Sequence, residues 1–137
     1  MAVLNKFNSF IEALAEKTHN LGTDTLTVAL SNTSPVNTNS VLADIAQISY
    51  TNLSSRVVTT VSSAQTAGTY KLTLADLVLT ASGPVATFQY VILYNSSALS
   101  LELISWGDYG SPITLANTET FTIDFDNVGG ALTITPV

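Results

Sequence analysis

The acid–base chemistry open to this chain rests on one histidine, His19, and ten carboxylates; it has no cysteine. A Ser-His-Asp hydrolase needs an imidazole to take the serine proton. His19 falls in the last turn of a segment with helical spacing, where a cation suits the helix dipole, so it reads as an exposed helix-end residue and not as a general base. Glu102, Asp108, Glu119, Asp124 and Asp126 are clustered in sequence, and paired carboxylates are the machinery of glycoside hydrolysis. Here, however, they read as acids on outward strand positions, with only Trp106 and Tyr109 nearby as sugar platforms. "DFDNVGG" (Asp124 to Gly130) opens like a calcium loop, but Val128 stands where an oxygen ligand belongs and no glutamate closes the loop. A single histidine without cysteine is too little for an ordinary zinc site. The phosphate-loop, dinucleotide and nucleophile-elbow motifs do not occur. These residues supply no catalytic group, metal ligand set or cofactor site.

Asp108 sits in "ISWGDYGSPITL" (Ile104 to Leu115), between Trp106-Gly107 and Tyr109-Gly110. Glycine for positive φ and aspartate for bonding its own backbone are turn chemistry. The segment therefore reads as a tight corner, with Trp106 and Tyr109 left to pack on a strand or on a partner.

The elements that must position these residues are mostly strands. Leu4, Phe7, Phe10, Ile11 and Leu14 give one apolar stripe at helical spacing, and Gly22 is placed to end that helix. Residues 1–22 thus form an N-terminal amphipathic α-helix, packed on the domain's own core or reaching out as an arm to a neighbouring subunit. From residue 23 to 137 the period is two, in a single β-domain. "DTLTVALSN" is a half-buried strand, "NTSPVNTNS" a polar loop, "VLADIAQIS" either a short helix or a strand, and "SSRVVTTVSS" a strand with a Thr/Ser outer face. "TYKLTL" and "ADLVLTA" follow. "TFQYVILYN" is apolar on both sides, with Phe88, Tyr90, Ile92 and Tyr94 against Val91 and Leu93, which marks a central strand. "LSLELISW", "SPITLA", "ETFTIDFD" (Phe121, Ile123 and Phe125 inward) and "ALTITPV" complete eight to ten strands. That rhythm specifies an antiparallel β-sandwich or barrel.

Composition narrows the function. Only 10% of the 137 residues are charged, four basic against ten acidic, for a net charge of −6. Nucleic-acid affinity comes largely from Lys and Arg neutralising phosphates, and the same shortage of cations argues against an anionic membrane surface. Asn5, Lys6, Asn8, Glu12 and Glu16 interrupt any secretion-signal core near the start. Serine and threonine, 35 residues, take over the surface. A mean hydropathy of +0.36 with so little charge suits a protein whose surface is largely covered by other subunits.

The runs "GTYKLTLADLVLTASGPVATFQYVILYN" (Gly68 to Asn95), "LISWGDYGSPITLANTETFTIDFD" (Leu103 to Asp126) and "FNSFIEALAEKTHNLGTDTLTVALSNTSP" (Phe7 to Pro35) resemble small structural proteins of tailed-bacteriophage heads, the capsid decoration or cement proteins. The resemblance covers most of the chain and carries no catalytic motif. It implies a virion component made in the host cytoplasm, bound as a homo-oligomer (dimer or trimer) to the major capsid protein on the outside of the shell. A tail or fibre component, either a tail-tube subunit or a receptor- or glycan-binding module, is the alternative. The residues expected to touch a partner are Phe7, Phe10, Ile11, Trp106 and Tyr109, with the polar loop Ser34, Pro35, Val36, Asn37, Thr38 and Asn39.

Overall fold

A computed structural model describes residues 4–136; Met1, Ala2 and Val3 of the expected helix and Val137 of the last expected strand lie outside them. The fold is mainly β, with antiparallel sheets and one short helix. The strands are β1 (Asn5–Lys6), β2 (Leu26–Ser31), β3 (Val57–Val58), β4 (Thr60–Thr66), β5 (Thr69–Leu74), β6 (Leu77–Thr80), β7 (Phe88–Asn95), β8 (Leu103–Ile113), β9 (Thr120–Ile123) and β10 (Leu132–Ile134). They form a five-stranded sheet in the order β1-β8-β7-β2-β3, a three-stranded sheet β10-β5-β4 and a pair β6-β9.

The apolar run of β7 sits at the centre of the largest sheet, between β8 and β2, as two-sided burial requires. One face of that sheet (Leu26, Val28, Leu30, Val91, Leu93, Ile104) packs on Leu72, Leu74 and Leu132 of the three-stranded sheet and on Leu79, Phe121 and Ile123 of the pair. This is a sandwich core. The other face (Ala29, Ile92, Tyr94, Leu103) is closed by Phe7, Leu42 and Ile45, which belong to the N-terminal segment and to the long connection between β2 and β3. In that connection "VLADIAQIS" is a short 3-10 helix, Leu42–Asp44, flanked by isolated bridges from Val41 to Glu102 and from Gln47 to Ser31.

Three expectations are corrected. The helix α1 spans only Ser9–Ala15. Residues before it are drawn into the sheet, where Asn5 and Lys6 pair with Trp106 and Ser105 and the Phe7 N–H donates to the Ile104 carbonyl. It ends well before Gly22, because Lys17 takes the left-handed conformation (φ 69°) and the N–H groups of Lys17 and Thr18 return to the carbonyls of Leu14 and Ala13. Phe10 enters the sandwich core and Leu14 packs against it, so α1 lies on the chain's own domain.

The corner at Asp108 is instead the middle of β8. Tyr90 pairs with Asp108 but Phe88 pairs with Ile113, so two steps along β7 face five along β8. The surplus is absorbed by a bulge at Gly110, φ +97°, whose N–H donates to Asp108 Oδ1 (2.7 Å). The local turn chemistry is present, embedded in a strand. The same irregularity breaks the alternation of β7: Phe88 leaves the face of Tyr90 and Ile92 and joins the sandwich core, edge-on to Phe121 at 5.3 Å.

Third, His19 is interior, 4% exposed, and stacks 5.5 Å from the Phe10 ring.

Candidate contact surface

The polar loop is a built structure. Asn39 closes the turn Val36–Asn39 in both directions, its N–H donating to the Val36 carbonyl and its Oδ1 accepting from the Val36 N–H, each at 2.9 Å. Asparagine does this readily because its side-chain amide mimics a backbone turn. Pro35 is buried and anchors the loop, whereas Ser34, Val36, Asn37 and Thr38 are exposed and Asn39 is half-buried.

Asn37 then ties three separate segments together. Its backbone carbonyl accepts from the Asn8 N–H (3.0 Å) at the start of α1, and its Oδ1 accepts from Trp106 Nε1 (3.1 Å) on β8. Trp106, half-buried, leans on Tyr90 at 6.3 Å. Beside it, the Leu103 N–H donates to the Ser40 carbonyl and the Leu42 N–H to the Leu101 carbonyl, so the loop's end is also stitched to β8. The product is a ledge formed by Val36, Asn37, Thr38, Asn8 and Trp106, with Asn5 of β1, paired with Trp106, alongside. Val36 is 55% exposed at its rim, and none of these residues is charged.

The structure therefore joins two of the expected contact groups, the loop and Trp106, and divides the rest. Phe7 and Phe10 are 1% and 0% exposed, in the loop-side and sandwich cores respectively, so they hold the fold and present no surface. Ile11, on the far side of α1, is 55% exposed. Tyr109 lies across the sheet from Trp106, edge-on to Phe121 at 5.2 Å and 47% exposed. Asp108 accepts from Gln89 Nε2 (2.9 Å) as well as from the Gly110 N–H, so its carboxylate is engaged within its own bulge. Asp126 is likewise spent on backbone, accepting from the Val128 and Gly129 N–H groups, and these bonds hold its carboxyl below the usual carboxylate range.

Sequence reasoning missed the polar cluster around His19. Asn95, fully buried at the end of β7, accepts from the Ser97 N–H through Oδ1 and donates from Nδ2 to Asp24 Oδ2 (2.6 Å) and to His19 Nδ1 (3.0 Å). That arrangement places the imidazole proton on Nε2. Nε2 and Glu102 Oε2 are both buried without a hydrogen-bond partner among the described residues. Burial pushes the imidazole below its ordinary value, while the carboxylates of Glu102 and Asp24 pull it back up. The cluster clips the segment after α1 to the end of β7. No local pattern reveals it, since His19 and Asn95 are 76 residues apart.

Comparison with models of known families, with curated proteins and with solved structures finds no match to this chain. Among the described residues, no group of three or more His, Asp or Glu side chains is placed to hold a metal ion, and no helix is long and apolar enough to cross a membrane.

Proposed function

We propose that the protein is a structural component of a tailed-phage virion, a decoration or cement protein that binds the outer shell of the head and bridges neighbouring major capsid subunits. The supporting observation is the ledge at Asn37, where a loop, the start of α1 and Trp106 are locked into one surface before any partner arrives. Preorganisation of this kind spares the ordering entropy that a loop otherwise loses on binding. The ledge offers an exposed valine, amide side chains and an indole rim with little charge to desolvate, and depletion of charge is the mark of an interface core. Its function on this reading is contact without chemistry. A standard interface buries about 800 Å² per partner, and repeating even a weaker one at every lattice position reinforces the whole shell through multivalency.

The test is co-sedimentation with purified, expanded capsids that lack this component. Saturable binding at a fixed ratio to the capsid subunit is expected. Failure to bind capsids, with binding to tail tubes or fibres from the same particles, would move the protein to the tail.

A further inference from the structure

The edges of the three sheets are unequally protected. β1 and β3 are two residues long, β10 is three and runs into Pro136, and β9 is flanked by Glu119 and Asp124. The stretch of β8 beyond β1 carries Asp108, the Gly110 bulge and Pro112. Short length, charge, proline and bulges are how sheet edges avoid pairing with other chains. The seven-residue edge strand β4 uses only one such device, a bulge at Val61, and leaves Ser62 to Thr66 in regular register with β5.

The hairpin fixes which groups face outward. Ala67 and Gly68, φ 52° and 85°, form its two-residue turn. Thr66 and Thr69, flanking that turn, exchange both backbone hydrogen bonds, so Ala64 and Ser62 also direct theirs to β5, while Ser63 and Gln65 direct theirs away. Among the described residues, no turn, loop or cap hydrogen bond reaches the backbone of Ser63 or Gln65.

We infer that β4 pairs antiparallel with β4 of a second copy of this chain, about a two-fold axis at Ala64. Ser63 then faces Gln65 of the other copy twice over, giving four backbone hydrogen bonds, with Ala64 opposite itself. Charge and side-chain size both favour a second copy as the occupant. The chain carries a net charge of −6, yet Val57 to Tyr70 contains no Asp, Glu, Lys, Arg or His, so the paired strands themselves set no carboxylate against another. Lys71 on the next strand turns its ammonium to the Val128 carbonyl (3.1 Å), on the β10 side. Directly opposed Cα atoms in a non-hydrogen-bonded pair lie about 4.5 Å apart, and on the axis Ala64 brings only a methyl group to that close approach. Val61, 62% exposed, extends the apolar contact beyond the hydrogen-bonded stretch.

The pairing is a property of the purified protein alone, so its test is independent of capsid binding. Native mass measurement of the full chain is expected to give a dimer. Gln65→Pro removes an outward N–H while leaving the ladder to β5 intact, and should weaken the dimer at least about tenfold, since two of the four bonds are lost. Because the chain has no cysteine, Ala64→Cys provides a second readout that does not depend on a proline being tolerated. The geometry falls inside the disulfide range of about 4.4–6.8 Å between Cα atoms, so mild oxidation should give covalent dimer far faster than in Leu99→Cys, at the fully exposed residue Leu99. A wild-type chain that stays monomeric at every concentration would overturn the inference, as would an Ala64→Cys variant that couples no faster than the Leu99→Cys variant.

Discussion

On one face of the five-stranded sheet Val28, Val91, Leu93 and Ile104 meet the side chains of other strands; on the opposite face Ala29, Ile92, Tyr94 and Leu103 meet a connection and an N-terminal segment. The strand-covered face brings its own hydrogen-bond ladders, so closing it asks only for apolar area. The loop-covered face brings backbone groups with no ladder, and each needs a named partner. Buried Ser31 places its hydroxyl 2.6 Å from the Ala46 carbonyl and accepts from the Thr33 N–H. Asp44 accepts from the N–H groups of Ser40 and Val41. Farther along the same connection Tyr50 packs against the strand-covered core instead; its hydroxyl accepts from the Leu30 N–H and donates to Gln47 Oε1, while the Arg56 guanidinium donates to the Val28 carbonyl and lies 3.5 Å over the Tyr50 ring. The lesson is that the loop side is held by specified polar clips, and the rigid ledge at Asn37 is one more of them.

The contrast predicts different responses to similar damage. Phe88→Ala should cost about 3–5 kcal/mol and lower the denaturation midpoint of the whole domain, because the phenylalanine is fully buried between strands. Phe7→Ala removes as many atoms, but its first effect should be local, with residues 34–47 losing amide-exchange protection while β7 keeps its own. Equal loss of protection in both regions would erase the distinction.

Ser31→Ala should cost about 1–3 kcal/mol by stranding the Ala46 carbonyl. Hydrogen exchange should report it at residues 45–48 before anywhere else. Smaller again is Asn37→Ala, about 0.5–1.5 kcal/mol for the lost bond to Trp106, read as a change in indole fluorescence with little shift in melting temperature.

Why the two faces are unequally legible in the sequence follows from the same physics. The two-sided apolar run of β7 and the inward set Phe121, Ile123 and Phe125, all three buried, are period-two patterns that any antiparallel packing satisfies. The loop-side layer is made of pairs distant in sequence, such as Trp106 with Asn37, 69 residues apart, and no local pattern encodes them. Phe7 shows the limit well: its spacing to Phe10 fits a helix, but pairing of Asn5 and Lys6 with β8 overrules that. At Asp108 the residue types do carry turn chemistry, and only the presence of β7 alongside makes the turn a bulge. Of the expected contact residues, the loop and Trp106 meet; Phe7 and Phe10 do not join them, because an apolar stripe looks the same whether it faces a partner or the chain's own core.

The gentlest probe is pH. The lowered pKa of His19 means the folded state binds its proton less readily than the unfolded chain. Stability should therefore fall as pH drops through the ordinary histidine value of about 6.5 towards the lowered one. Asp44, held down by the Ser40 and Val41 N–H groups, adds a loss only at lower pH, below the ordinary aspartate range. Replacing His19 with Gln should flatten the first step and leave the second, which a melting-temperature series across pH resolves.

The ledge carries the proposed function. Its most direct measurement is the binding isotherm on expanded capsids for Val36→Asp, set beside Val128→Asp, a charge placed at an exposed residue of the β9–β10 connection. Val36→Asp should lose at least about tenfold in affinity, roughly the cost of one desolvated charge at an interface core, while Val128→Asp binds as the unaltered chain does. Equal binding by the two variants would contradict the account.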